Sequence, residues 1–188
     1  LSVVGIGSDL ADLLGAPEAA GLQSGSNAKL ETQSTAAFAS VTWNVNDKLD
    51  LTVGGRYTSE EKEIDYTQSD AFGLLGGDFA VKDSDDWGKF TPTANMRYRF
   101  SPDAMGYVTI SSGFKSGGYN DAIGDANGIS FDPETLWNYE AGLKGELFSG
   151  RLQASAAVFH MNWSDIQVST DNPNTPVFDV QIINAGAA

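Results

Sequence analysis

The 188-residue sequence has no cysteine and only one histidine, His160. The lack of cysteine excludes a disulfide framework and a thiolate metal site, and one histidine argues against a histidine metal centre or a Ser-His-Asp triad. Basic residues are few, with 11 Lys and Arg against 25 Asp and Glu. The resulting net charge of −14 argues against a nucleic-acid partner, because phosphate binding needs clustered positive charge.

Long apolar runs are also lacking, which excludes a membrane-spanning helix. It does not exclude a membrane-spanning sheet, because barrel strands alternate apolar and polar residues. No paired carboxylates typical of a hydrolase are visible in the sequence. We therefore expect no enzymatic activity, no cofactor and no resident metal.

Helical periodicity is nearly absent. The one candidate helix begins at Ser8, which can cap it, carries Leu10, Leu13 and Leu14 at helical spacing, and can end at Gly15. We expect residues 1–34 to be a loop region containing this short helix.

Most of the remaining chain alternates with a period of two residues, which predicts β-strands. Three hairpins follow the same plan, with tight turns at residues 46–48, 101–104 and 149–150. The links between hairpins, at residues 66–87, 117–133 and 170–177, are long and rich in Gly, Asp, Ser and Asn. Short turns at one end and long loops at the other are typical of a bacterial outer-membrane barrel.

The two faces of these strands differ in chemistry. We expect one face to contact lipid, and it includes Val41, Leu51, Met96, Ile110 and Leu143. The aromatic residues expected to form interfacial girdles on that face are Trp43, Tyr57, Phe100, Trp137, Tyr139 and Trp163. The opposite face carries mid-strand charges, which a water-filled lumen tolerates and a packed core does not. A soluble antiparallel sheet with one wet face remains the alternative.

Several sequence blocks resemble the barrel of a TonB-dependent outer-membrane receptor, most closely the ferric-siderophore or iron-complex branch. The most specific blocks are "GFKSGGYN" at 113–120 and "PETLWNYEAG" at 133–142, followed by a hairpin with the pattern "K…RL…A…F…W.DIQ". The resemblance covers residues 35–188. It is specific to the receptor class and not to a ligand.

The resemblance implies an all-β fold: an antiparallel up-and-down meander of about seven long strands, forming part of a 22-stranded transmembrane barrel. The strands are expected at 35–45, 49–66, 89–100, 105–116, 135–148, 151–169 and 178–184. Residues 1–34 would then be extracellular. The chain shows no plug domain, no TonB box and no terminal strand ending in an aromatic residue, so we expect it to be a fragment.

The resemblance also assigns candidate residues to the lumen and to the outer rim. Candidates for a lumen or ligand path are Arg56, Arg97, Arg99, Tyr107, Lys115, Glu140 and Lys144. The basic ones could line a path for an anionic ferric chelate, or they could pair with Glu140, Glu146 and the plug. The candidate rim motif consists of Gly113, Phe114, Lys115, Gly117, Gly118, Tyr119 and Asn120. Its glycines are not a phosphate loop, because the spacing and the following helix are missing.

The acidic stretch "KDSDDW" at 82–87 contains oxygen donors that could suit calcium. It lacks the glycine and terminal glutamate of an EF-hand loop, and we interpret it as a solvated acidic loop.

The leading functional hypothesis is import of a scarce solute, a ferric siderophore, across the outer membrane. The expected partners are the TonB complex, acting on the plug and TonB box of the parent protein, the ferric-siderophore ligand and outer-membrane lipid. One alternative is a barrel for another cargo, such as cobalamin, haem or a glycan, or a simple pore. A second alternative is a soluble β-sheet domain with adhesive or glycan-binding function.

Overall fold

The computed structural model of the protein describes residues 24–73, 75–120, 129–172 and 180–187, and these residues contain strands and no helix. The strands are β1 (Ser24–Asn44), β2 (Leu49–Asp70), β3 (Phe79–Ser101), β4 (Ala104–Lys115), β5 (Gly118–Tyr119), β6 (Ser130–Phe131), β7 (Glu134–Leu147), β8 (Leu152–Asp171) and β9 (Val180–Ala187). Seven of them form one antiparallel sheet in the order β1-β2-β3-β4-β7-β8-β9, while β5 and β6 pair with each other. The predicted all-β meander is confirmed. The candidate helix at Ser8–Gly15 lies outside the described residues.

Two predicted boundaries are wrong, both at the end of the sheet opposite the tight turns. Strand β1 begins at Ser24, so residues 24–34 are strand and not loop. The predicted link at 66–87 is mostly strand, because β2 continues to Asp70 and β3 begins at Phe79. The polar composition of residues 66–87 suggested a loop, but the alternation of the strand predicted at 49–66 continues into this region, with Tyr66 and Gln68 buried on one face and Thr67 exposed between them.

The three tight turns are confirmed and lie at one end of the sheet. In the first turn, the side-chain oxygen of Asn46 accepts hydrogen bonds from the N–H groups of Lys48 and Leu49, at 2.9 and 3.0 Å. In the third turn, Phe148 and Ser149 have φ values of 54° and 59°, in the left-handed region used by tight hairpin turns.

The strand register sorts the side chains onto two faces. Directly opposed residues share a face, and Val53 lies between Val41 on β1 and Ala94 on β3, while Ala94 also faces Ile110 on β4. On this apolar face Val41 is 65% and Leu143 59% exposed. These residues therefore do not form a closed dry interior.

The other face is polar. Its rows include Asp50, Arg97 and Tyr107 on adjacent strands. One girdle prediction is wrong: Trp163 opposes Leu136, which alternates with Trp137 and so lies on the polar face.

Aromatic rings cover glycines on neighbouring strands at several points. A methyl group at Gly142 would lie 2.6 Å from the ring of Tyr107, and one at Gly106 would lie 3.1 Å from the ring of Phe100. The Phe90 ring approaches Gly55 in the same way, whereas the group nearest to Gly88 is the Tyr57 hydroxyl. These glycines leave room for an aromatic side chain of the neighbouring strand.

The ends of β1, β2 and β3 that lie away from the tight turns, here called the upper ends, form a three-stranded extension. This extension is called the tongue and comprises residues 24–36, 59–70 and 79–88. Twelve residues of β2 beyond Thr58 correspond to roughly 40 Å at about 3.4 Å per residue. The pairing of β3 with β4 ends at Thr93 and Ser111, next to Pro92, which has no N–H to donate. Above this point, β3 stays paired with β2, while β4 stays paired with β7.

A small buried core lies on one face of the tongue. It consists of Ile64, Tyr66, Trp87, Tyr119 and Ile129, with Ala28, Phe79 and Val81 packed against it. Ile64 and Tyr66 are only 2% and 1% exposed. The tongue therefore packs on the connection between β4 and β7, which supplies Tyr119 and Ile129.

Candidate functional site

Asp50 is the centre of a charged cluster near the tight-turn end of the polar face. Its carboxylate accepts hydrogen bonds from Asn44 Nδ2 at 2.7 Å, from Arg97 Nε at 2.9 Å and from Arg99 Nη2 at 2.6 Å. Asp50 is 3% exposed. Two of the arginines predicted for a ligand path are thus ion-paired to this carboxylate, and not to Glu140 or Glu146.

Tyr107, Glu140 and Lys144 form a second group on the polar face. The Tyr107 hydroxyl donates a hydrogen bond to Glu140, and Lys144 Nζ lies 5.2 Å from the centroid of the Tyr107 ring. The ring lies over Gly142. Three of the predicted lumen residues are therefore in contact with each other, and Tyr107 orients both charges.

Arg56 and Lys115 lie apart from these groups. Arg56 Nε donates to the hydroxyl of Thr58 at 3.0 Å, six residues along β2 from Asp50. Lys115 is the last residue of β4 and is exposed. Five of the seven predicted lumen residues therefore belong to two clusters, and the other two, Arg56 and Lys115, are separate cations.

The predicted rim motif, Gly113–Asn120, is here called the rim segment. Gly113, Phe114 and Lys115 end β4, and the chain then becomes buried from Gly117 to Asn120. A methyl group at Gly117 would lie 2.6 Å from the Trp87 ring, whereas one at Gly113 would meet nothing within 4 Å. Only part of the rim segment is tightly packed.

Lys62 connects the tongue to the rim segment. Its Nζ donates to Ser116 Oγ at 2.9 Å and to the carbonyl oxygen of Gly117 at 2.7 Å, and lies 3.1 Å from Glu60 Oε1. The ammonium is also 5.6 Å from the centroid of the Trp87 ring. A hydrogen bond from the Ser116 hydroxyl, helped by the charge of Lys62, lowers the pKa of Glu60.

The rim segment is fixed to β8 and β9 as well. Asn120 exchanges two hydrogen bonds with the backbone of Ile182, at 2.9 and 2.7 Å. Gln167 Nε2 donates to the carbonyl oxygens of Ser116 and Asp132 at 2.9 and 3.0 Å. The segment is therefore a junction between the tongue and the far side of the sheet.

Tyr119 is buried beside Trp87, with ring centroids 6.2 Å apart in an edge-on arrangement. Burial, followed by the negative charges of Asp83 and Asp85, raises the pKa of Tyr119 to about 12. The neutral phenol is the form that the folded rim stabilises.

An apolar stripe on the polar face was missed by the sequence analysis. Phe159, Met161 and Trp163 oppose Glu140, Asn138 and Leu136 on β7. Their odd-numbered alternation along β8 was visible in the sequence, but only the register to β7 identifies the face they occupy.

The acidic stretch at 82–87 is part of β3 and not a loop. The side chains of Asp83, Asp85 and Asp86 are exposed, as a solvated stretch requires. Within the described residues, no group of three or more Asp, Glu, His or Cys side chains could hold a metal ion.

Comparison with known proteins decides the family. Residues 6–188 match the family described as "TonB dependent receptor-like, beta-barrel". The chain belongs to this family.

The relatives of this receptor chain include the pesticin receptor of Yersinia enterocolitica, 28% identical over 83% of the chain and 22% of the relative. The ferric-pyoverdine 358 receptor of Pseudomonas putida is 30% identical over 71% of the chain and 15% of the relative. The crystal structure of the ferric yersiniabactin uptake receptor FyuA from Yersinia pestis superposes with a TM-score of 0.71 at 23% identity, covering 87% of the chain and 23% of FyuA. The chain thus spans about a fifth of the length of such relatives.

Family membership establishes the setting of the sheet. The TonB-dependent receptors are outer-membrane barrels and not an enzyme family, so the chain forms part of an outer-membrane barrel wall. This excludes the soluble adhesive alternative and identifies the apolar face with the lipid side. The described ranges contain no helical segment with the length and hydrophobicity of a transmembrane helix.

Proposed function

We propose that the chain is part of an active transporter that binds a ferric siderophore outside the cell and imports it with TonB-derived energy. The observation that carries this proposal is the division of one sheet into a lipid-exposed apolar face and a charged lumen face, in a chain of the TonB-dependent receptor family. The names of two relatives, the ferric-pyoverdine and ferric-yersiniabactin receptors, favour a ferric chelate as cargo. No covalent chemistry is performed.

The TonB complex would act on the plug and TonB box of the whole receptor. We expect uptake to require both TonB and the proton gradient, because a barrel wall has no energy source of its own. Deleting TonB in the host, or adding an uncoupler, should abolish uptake and leave surface binding of the ferric chelate intact. Uptake that survives TonB deletion would instead support a simple pore.

Within this chain, ligand contact is proposed for the outer end of the lumen. Arg97 and Arg99 are already paired to Asp50. The Asp50 carboxylate therefore neutralises part of their positive charge before any chelate binds. Arg56 and Lys115 carry no ion pair within the described residues, and they are the stronger candidates for attracting an anionic chelate. Tyr107, Glu140 and Lys144 then line the path further down, beside Phe159 and Met161.

The tongue and the rim segment are proposed to determine which cargo is bound. The test replaces residues 60–87 of the full receptor by Asn-Gly, which joins Ser59 to Gly88, two residues that are paired in the sheet. Uptake of radioactive iron is then measured with a catecholate, a hydroxamate and a phenolate siderophore. We expect the uptake of the preferred chelate to be lost while the receptor still assembles in the outer membrane.

A matched control changes the opposite end of the same strand. Replacing Pro102-Asp103 in the turn between β3 and β4 by Asn-Gly should leave uptake unchanged, because this turn lies at the end away from the tongue. Undiminished uptake in the tongue replacement would refute the placement of the ligand determinants. Failure of all three chelates with the intact receptor would refute the ferric-siderophore assignment.

A further inference from the structure

Backbone pairing in the barrel wall stops at a place where both neighbouring strands are present. β3 and β4 are neighbours in the sheet, yet their pairing stops at Thr93 and Ser111, although β3 continues up to Phe79 and β4 up to Lys115. Pro92 stands at the branch point and cannot continue the ladder. On its β4 side, the tongue has no backbone pairing within the described residues above this point.

Above the point where this backbone pairing stops, side chains connect the tongue to the rim segment. Lys62 of the tongue makes two hydrogen bonds to Ser116 and Gly117 and an ion pair to Glu60, and its side chain is 16% exposed. Trp87 packs against Gly117 and Tyr119 directly below. The rim segment is in turn bonded to β8 through Gln167 and to β9 through Asn120.

We propose that Lys62 and Trp87 are positioning residues that latch the tongue to the rim segment, and that this latch sets how far the mouth of the barrel opens at the junction of β3 and β4. Backbone pairing joins β3 to β4 below Thr93. Above it, only side chains join the tongue to the rim segment and its connection, through the Lys62 contacts and the small core around Trp87. Local opening is favoured where backbone pairing is absent and few contacts must break. The latch adds to the proposed function a control over the width of the outer opening of the barrel. It rests on that function only for the identity of the cargo that passes through.

The chemistry of the latch allows release without unfolding. Lys62 can exchange the Ser116 hydroxyl and the Gly117 carbonyl for water and keep Glu60, which lies on its own strand. Tyr119 and Ile129 then separate from the apolar side chains of the tongue. None of these contacts belongs to the β2–β3 ladder that carries Lys62 and Trp87, so the exchange breaks no backbone pair. The tongue can therefore move as a unit about the Pro92–Thr93 junction.

The experiment measures the position of the tongue in the full receptor without any ligand. Spin labels are attached at Ser84→Cys on the tongue and Asn162→Cys on β8, two exposed sites in a chain with no cysteine of its own. Double electron–electron resonance then gives the distribution of distances between the labels in vesicles. We expect one narrow distribution for the otherwise unchanged receptor.

Two variants release the latch by different means, each with a control. Lys62→Met removes the ammonium and keeps the stem, and its control Lys82→Met removes an exposed tongue lysine that pairs with Glu63. Gly117→Ala forces a methyl group against both the Trp87 ring and the carbonyl oxygen of Phe131, and its control Gly113→Ala places one in open space in the same segment. We expect Lys62→Met and Gly117→Ala to broaden or shift the distribution, and both controls to match the parent.

The proposal is overturned if Lys62→Met gives the parent distribution in a normally assembled receptor. Should the two latch variants fail to assemble, Ser116→Ala decides. It deletes the hydroxyl that accepts from Lys62 and donates to Glu60, two contacts between tongue and rim segment, without changing charge. A parent-like distribution there also overturns the proposal. If the unchanged receptor imports no ferric siderophore, the proposed cargo is refuted, and this distance measurement is unaffected.

Discussion

The lower sheet, which is the seven-stranded part between the tight turns and the tongue, shares β1, β2 and β3 with the tongue. The two regions are stabilised in different ways. In the lower sheet, large apolar side chains such as Val41 and Leu143 are more than half exposed, and the backbone ladder holds the strands together. In the tongue and rim, Ile64, Tyr66 and Trp87 are buried by side chains from a separate connection. The lower part relies on lipid to cover its apolar surface, whereas the upper part stands in water and must build its own core.

The largest effect is expected when one apolar residue is truncated in each region. Ile64→Ala should lower the local opening free energy of the tongue by about 2 to 5 kcal/mol, because it leaves a cavity in a buried core. Val53→Ala should cost less than about 1 kcal/mol, because lipid fills the space at an exposed position. Hydrogen exchange of tongue and barrel amides in the full receptor measures both, and equal loss of protection would contradict the contrast.

A second test uses consecutive residues on opposite faces of β3. Ala94→Arg places a charge on the lipid face and should destabilise the barrel by about 2 to 4 kcal/mol if it lies near the bilayer centre. Thr93→Arg places the same charge on the lumen face and should be nearly neutral. Urea unfolding of the receptor in vesicles distinguishes them. Similar midpoints for the two variants would mean that the faces are assigned wrongly.

A smaller effect is expected where the lower sheet does depend on side chains. Asp50→Ala leaves Arg97 and Arg99 without their shared carboxylate and should cost about 1 to 3 kcal/mol. Asp103→Ala, in the exposed turn at the same end, removes a carboxylate without an ion pair within the described residues and is the control. The same unfolding assay applies, and an Asp50→Ala midpoint equal to that of the control would show that the cluster contributes nothing.

The smallest effect concerns the proton of Tyr119. Its folded pKa is raised to about 12 above the unfolded value of about 10. The stability that the neutral phenol contributes is therefore complete below about pH 10 and is lost as the pH rises to about 12. Ultraviolet difference absorbance between the receptor and Tyr119→Phe should show one phenolate forming near the upper value, and formation near pH 10 would contradict the buried position.

The lower sheet could be predicted from the sequence because its physics is local. Strict alternation from Ala37 to Val45 and from Leu49 to Tyr57, joined by an Asn-Asp turn, determines both strands and faces. The tongue could be predicted only in part. The strand expected at 49–66 covers its first eight residues on β2, but residues 67–87 resemble a loop until Tyr66 and Trp87 are known to share a core with Tyr119. The pairing of Arg97 and Arg99 with Asp50 likewise depends on the register between β2 and β3, which no short stretch of sequence specifies.

The aromatic rings next to Gly55, Gly106 and Gly142 have a consequence for how such a wall is assembled. A long hairpin of similar alternating residues could align with its neighbour in several ways that differ by two positions. Sliding Tyr107 by one such step would move its ring from Gly142 onto Glu140 or Lys144, where a side chain already occupies the space. Each ring and its glycine thus select the correct register, because a misaligned hairpin would clash sterically as it is added.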